Sequence, residues 1–277
     1  MPNVRFTGPA RESTWRRVAA GMWGPQSDPT IYGSMDLDAR ALLARIAALR
    51  EQGVHVTVTH VVAKAAAEVL HRLPDLNVVL RRHRAWQREG VDVFLQVVVH
   101  DEQRPGLATT ELSGVKIDDA DRLDLVAFAA RVDAEVARTR KSKDQALDLT
   151  RKRLAGFPRF ALRPLMQAAR YLTTELNLDL SKLGVSRDPF GSIAVTSVGM
   201  LGIETAFAPL LPMGGPPMMI TVSAIKDRAV VDEHGQVVAR PVLRLGGTFD
   251  HRVIDGYQIS VLAKELRALL EREVATL

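Results

Sequence analysis

The chain has 277 residues with 37 Lys and Arg against 32 Asp and Glu, a formal charge of +5, 47% hydrophobic and 25% charged residues, and no cysteine. This is globular composition, long enough for a sizeable core in one large domain or two small ones. Disulfides, thiolate metal sites and cysteine nucleophiles are excluded, a reducing cytoplasmic setting fits, and neither a signal-peptide core nor an 18-residue apolar run is present.

Residues 13–23 read as a short helix capped by Ser13 or Thr14, with Val18, Ala19 and Met22 on one face. After a break at 27–30, TIYGSMDLD reads as a strand. It passes into a helix over 39–51 striped by Leu42, Ile46 and Leu49. A second helix is expected over 59–73, opened by a capping Thr and stopped before Pro74. Strands follow at 77–81 and 91–100, the latter apolar at nearly every position, as in a strand covered on both faces. A short strand is expected at 107–110 and a helix over 121–137. Residues 140–153 are polar and basic, and 154–180 are apolar with interspersed Arg, reading as helix broken near Pro158 and Pro164. DPFG at 188–191 is a turn. The last third holds strands at 192–198, 218–225, 229–232 and 240–250, with a hairpin connection at HGQ. A final helix over 257–273 buries Ile259, Leu262, Leu266, Leu269 and Leu270. Interleaved helices and strands that end in hairpins give an α/β fold with a mixed sheet.

The charge is uneven. Residues 138–187 hold twelve basic residues against four acids, a local +8 that leaves the remainder at −3. The segment also holds Leu154, Phe157, Phe160, Leu162, Leu165, Met166, Tyr171 and Leu172. A basic amphipathic segment of this kind can lie on the inner, anionic face of a membrane, bind a protein partner, cover a subunit edge or neutralise the phosphates of a substrate. Nucleic acid is disfavoured, because aromatic content is low and no reading motif is present.

Seven histidines are present, His55, His60, His71, His83, His100, His234 and His251, and none has a zinc-site spacing, so no metal is expected. His251 stands apart in Asp250-His251-Arg252-Val253-Ile254-Asp255-Gly256, between an apolar strand and the final helix. From the residues alone it reads either as a general base, since imidazole exchanges protons near neutral pH, or as a loop histidine in a charged turn.

The stretch Thr248 to Gly256 resembles the DHRxxDG signature of the acyltransferase component of 2-oxoacid dehydrogenase complexes, the dihydrolipoamide acyltransferases, whose HxxxDG core chloramphenicol acetyltransferase shares. Four further elements resemble the same family in order: Arg16 to Met22, Lys64 with Leu73-Pro74-Asp75-Leu76-Asn77, Ser192 to Gly202, and Ile225 to Asp232. The resemblance implies one catalytic domain with a two-layer α/β sandwich of the chloramphenicol acetyltransferase type. It also implies a homotrimer with active sites between subunits and acyl transfer between dihydrolipoamide and coenzyme A, with no covalently bound cofactor.

On this resemblance His251 takes and returns the thiol proton, and Thr196 donates a hydrogen bond to the oxyanion. Ser197 is the alternative if the register is shifted by one, and only one of the two can serve, since neighbouring strand side chains face opposite ways. Asp255 steadies the turn through Arg16 or Arg17, and Gly256 relieves crowding. Asp250 and Arg252 match the signature, though a solvated charged turn would explain them equally. The chain departs from the pattern in three respects. It carries no lipoyl or subunit-binding domain, so the acyl group is expected on a separate lipoyl carrier or as acyl-CoA. Residues 100–109 lack the family's Pro-Val. Residues 138–187 form a basic helical insert in place of a shorter connection. Two other readings stand beside a thioester acyltransferase: a non-catalytic scaffold of the same fold, and a transferase acting from acyl-CoA on a lipid or other acceptor.

Overall fold

The computed structural model describes residues 3, 5–9, 28–99, 111–142, 159–183, 187–211 and 215–277. The helix expected over 13–23, with Arg16 and Arg17, and the strand expected at 107–110 fall outside these residues, as does most of 140–158.

The alternating segment TIYGSMDLD forms β2 (Thr30–Asp38) and leads into α1 (Arg40–Glu51), which buries Leu42, Ile46 and Leu49. Helix α2 (Val58–Arg72) is capped by Thr57, which accepts from the His60 amide, and begins one residue ahead of the expected start. Strands β3 (Val78–Arg81) and β4 (Arg84–Arg88) make a hairpin, which pairs with β1 (Phe6–Pro9) in a small antiparallel sheet ordered β1-β4-β3. Strand β4 was not expected. Its two-residue turn places Arg82 and His83 at φ 50° and 57°, positions where Asn-Gly is the usual sequence signal. Tertiary contact holds it instead: the Arg82 amide donates to the Glu175 carboxylate at 2.6 Å, and the Arg81 and Arg82 side chains both donate to the Glu175 carbonyl.

Strand β5 (Val93–Val99) pairs with β6 (Glu111–Ile117), also unexpected from sequence because Gly114 interrupts its alternation. The Phe94 ring lies across that glycine, 2.0 Å from where a Cβ would stand, so only Gly fits. Helix α3 (Leu125–Ser142) begins at Asp124, whose side chain accepts from the Ala127 amide. Helix α4 (Arg159–Arg170) runs through Pro164, giving up one backbone bond where a break was expected, and continues as a π turn at Tyr171–Glu175.

The remaining strands are β7 (Ile193–Ser197), β8 (Met218–Val222), β9 (Lys226–Val231) and the long β10 (Val237–Asp250), followed by α5 (Gly256–Glu271). The main sheet runs β2-β10-β8-β7-β5-β6, with β9 paired to the first half of β10. Only β5–β7 and β7–β8 are parallel, so the sheet is mixed. Helices cover one face: α2 over β5 and β7, α3 over β6 and α5 over β2. Strand periodicity sends Ile193, Val195, Met218, Ile220, Leu243, Leu245 and Phe249 into this layer, all buried. Two layers, sheet and helix, result.

One buried histidine gives this core a pH response. His60 on α2 is 6% exposed and its Nδ1 has no hydrogen-bond partner among the described residues. Burial holds its pKa below the ordinary value, helped by His55 and opposed by Asp133. The unfolded chain therefore binds the proton more readily, so stability is full above about pH 6.5 and falls as pH drops through the depressed folded-state value. Thermal melts between pH 7 and pH 5 are expected to show a falling midpoint, and His60→Leu is expected to flatten that dependence.

Candidate active site

Strand β10 carries His251 to the end of the sheet. The Asp250 amide donates to the Pro217 carbonyl and the His251 amide to the Pro29 carbonyl, both at 2.8 Å, so the segment stays registered between its neighbours through His251. The chain then turns. Amides of Val253 and Ile254 donate to the Asp250 carbonyl at 3.1 and 3.0 Å, and both side chains are buried. Asp250 is itself buried. It accepts from the Arg252 amide at 3.0 Å and pairs with its guanidinium at 2.6 Å. That bond holds the Arg252 pKa above its ordinary value despite partial burial. Asp250 and Arg252 are thus an interior clamp on the turn rather than a solvated charged pair.

The clamp fixes the imidazole. His251 is half-buried, and its Nδ1 lies 3.0 Å from the Ile254 carbonyl oxygen. A carbonyl can only accept, so Nδ1 carries a proton, which in the neutral ring leaves the lone pair on Nε2. This is the tautomer that a general base needs. Sequence reading did not foresee the Ile254 carbonyl, because a backbone acceptor leaves no mark in residue types.

Asp255 caps α5. Its carboxylate accepts from the Gln258 amide at 3.0 Å, and the Gln258 side chain accepts from the Asp255 amide at 3.1 Å, a reciprocal capping box. The Asp-x-x-Gln spacing was available to sequence reading, whereas the expected partners Arg16 and Arg17 are not among the described residues. Gly256 opens the helix, and among the described residues nothing crowds the place where a Cβ would stand.

Thr196 and Ser197 lie at the far end of β7. In register, Thr196 is opposite Thr221 and Ser197 opposite Val222. Paired residues share a face, and Val222 is core, so Ser197 turns toward the helix layer and Thr196 toward the opposite face. Thr196 is 8% exposed. Residues 203–208 cross that face: the Ala208 amide donates to Thr221 Oγ1, and Phe207 meets the Tyr32 ring edge-on at 5.5 Å. Beside them Met200, Leu201 and Ile203 are exposed, as is Tyr257 next to the His251 turn.

His251 and Thr196 do not meet within one chain. Thr196 is level with Thr221, and Thr221 with Gly246, five residues before His251 on β10. The two side chains are therefore separated by about 17 Å along the strands and by two strand spacings, about 10 Å, sideways. Within one chain the two candidate residues stand apart.

The family described as 2-oxoacid dehydrogenases acyltransferase (catalytic domain) matches residues 11–154 and 181–277, leaving 155–180, within the basic segment, between the matched stretches. The dihydrolipoyllysine-residue acetyltransferase component of the pyruvate dehydrogenase complex of Zymomonas mobilis is 24% identical over 273 residues, 96% of this chain and 50% of that protein. The chain thus spans about half the length of this curated relative. Among solved structures, a probable dihydrolipoamide acetyltransferase from Listeria monocytogenes superposes with TM-score 0.64 at 16% identity, covering 94% of this chain and 91% of that one. The cubic core of a pyruvate dehydrogenase multienzyme complex gives 0.61 at 21%, covering 94% and 87%. A chloramphenicol acetyltransferase gives 0.55 at 11%, covering 96% and 100%. The fold is that of chloramphenicol acetyltransferase, as the sequence resemblance implied.

Proposed function

Because this chain belongs to the family of 2-oxoacid dehydrogenase acyltransferase catalytic domains, we propose that it transfers an acyl group between coenzyme A and a dihydrolipoyl thiol presented by a separate carrier. The observation that carries this reading is the seating of His251 at the end of β10, with its Nδ1 hydrogen-bonded to the Ile254 carbonyl at 3.0 Å, the orientation of a general base. Nε2 removes the proton of the attacking thiol. The thiolate forms a new C–S bond at the thioester carbonyl, whose electron pair moves onto oxygen. The Thr196 hydroxyl donates a hydrogen bond to that oxyanion. As the carbonyl re-forms, the original C–S bond breaks and the departing thiolate takes the proton back from the imidazolium.

The separation of these two residues supports assembly. Thr196 of one copy and His251 of the next would complete the site, and the exposed apolar residues Met200, Leu201, Ile203 and Tyr257 suit a contact between copies. A homotrimer meets both needs. Formation of free coenzyme A and of S-acyl-dihydrolipoamide from a panel of acyl-CoAs, separated by chromatography because the number of free thiols does not change in the exchange, tests the reading alongside the mass of the assembly in solution. Trimers that turn over at least one acyl-CoA are expected. Stable trimers with no turnover across the panel would favour the scaffold reading instead.

A further inference from the structure

The tip of the β3–β4 hairpin reads Arg81-Arg82-His83-Arg84, and Arg82, His83 and Arg84 are exposed. Arg82 and His83 hold left-handed backbone, which costs free energy in any residue but glycine. Arg81 is half-buried, its guanidinium 5.2 Å from the centre of the Trp86 ring. Burial, and after it the charge of Arg82, hold the Arg81 pKa below its ordinary value, and Glu175 offsets this only in part. Arg170 brings a further guanidinium to 4.0 Å from the Glu175 carboxylate. Strained backbone and crowded like charge both weigh against stability, the pattern of a turn kept for binding.

The π turn that grips this tip sits at the His251 end of the main sheet. Asn3 donates to the Thr173 carbonyl at 3.2 Å and to the Asn177 carbonyl at 3.1 Å, and its Oδ1 accepts from the Asp188 amide at 3.0 Å. Asp188 leads into β7. Strand β8 is parallel to β7 and antiparallel to β10, so β10 delivers His251 to the end where β7 and β8 begin. Glu175 comes near enough to the catalytic turn that, after Asp250, its charge also favours the Arg252 guanidinium. The family match omits residues 155–180, so Glu175 belongs to a segment outside the family pattern.

We propose that this basic tip receives the acidic face of the protein that carries the dihydrolipoyl thiol, and so brings the carrier to the catalytic turn. The proposal rests on the acyltransferase reading above and names its partner. Clustered guanidinium groups recognise carboxylates through charge-assisted hydrogen bonds, and exposed charge speeds encounter without altering the chemistry. The effect therefore falls on a thiol borne by a protein, and on KM rather than kcat.

Full-length wild type, Arg84→Glu and the double variant Arg82→Gln/Arg84→Glu are compared, with the acyl-CoA that supports the fastest transfer. The acceptors are free dihydrolipoamide and an isolated, reduced lipoyl domain of net negative charge. The double variant is expected to raise KM for the domain at least about tenfold, with kcat and the KM for free dihydrolipoamide changed less than about twofold. Wild-type KM for the domain is expected to rise with salt. Should the double variant not fold, Arg84→Glu, at an exposed position, is expected to raise the domain KM at least about threefold. Equal changes for both acceptors, an unchanged KM for the domain, or no transfer to the domain would overturn the proposal. So would a larger loss with acyl-CoA than with acyl-pantetheine, which lacks the phosphates, since that assigns the tip to coenzyme A. If wild type acylates neither acceptor, the acyltransferase reading fails, and fluorescence anisotropy of the labelled domain at low salt decides the tip by itself. Binding that the double variant weakens at least about tenfold supports it. Equal affinity, or no binding to wild type, overturns it.

Discussion

Replacement of His251 by alanine is expected to lower acyl transfer by about 10²- to 10⁴-fold, the range for removing a positioned general base. The loss should fall on the rate rather than on folding, since the imidazole is half-buried and the turn is held by Asp250, Arg252, Val253 and Ile254 without it. What remains has a signature. Without a base the thiol must ionise in solution, so the residual rate should climb about tenfold per pH unit up to the thiol pKa, near 8.5 for an ordinary thiol. Wild type should be much flatter over the same range. Rates of coenzyme A formation from acyl-CoA and dihydrolipoamide, followed by chromatography from pH 6.5 to 9, check both statements. A variant as active as wild type would mean that His251 is a loop histidine after all.

Thr196→Val is expected to cost about 10²- to 10³-fold by removing the hydroxyl while keeping a branched side chain on the strand. Thr196→Ser should retain most of the activity. Ser197→Ala, on the helix-facing side of β7, should change it little. The separation of Thr196 from His251 within one chain sharpens the test, because a site completed between copies can be rebuilt from two inactive proteins. When His251→Ala and Thr196→Val subunits are unfolded, mixed in equal amounts and refolded, a site that draws His251 from one copy and Thr196 from another is intact in about a quarter of cases. Recovery of about a quarter of wild-type activity is therefore expected. Mixtures no more active than their parents would place both residues in separate roles.

The parts of this fold that were legible in the sequence are those where local pattern and tertiary packing agree. Leu42, Ile46 and Leu49 mark α1, and Leu262, Leu266, Leu269 and Leu270 mark α5, because their spacing is the helical period of a buried stripe. The ordered run from Thr248 to Gly256 placed His251 at the strand-to-helix junction where the structure has it. The misses share a cause, namely that one distant contact replaces a local signal. Strand β4 is turned by Arg82 and His83, whose left-handed backbone is held by Glu175 from across the chain. Strand β6 contains Gly114 because Phe94 of the neighbouring strand needs the space. Asp250 and Arg252 looked like surface charge because their mutual pairing, which permits burial, cannot be read from composition. Which face of the sheet Thr196 and Ser197 each take required the register against β8, which no single segment contains.

The pairing of β2 with β10 also fixes the order in which the molecule can be made. Asp36 and Arg244 are joined across the ladder although 208 positions separate them in the chain. During synthesis β2 emerges well before β10, so this part of the sheet closes only after the residues between them have left the ribosome. The bond from the His251 amide to Pro29 is part of that late closure. Until then β2 offers a bare edge to any sister chain at hand.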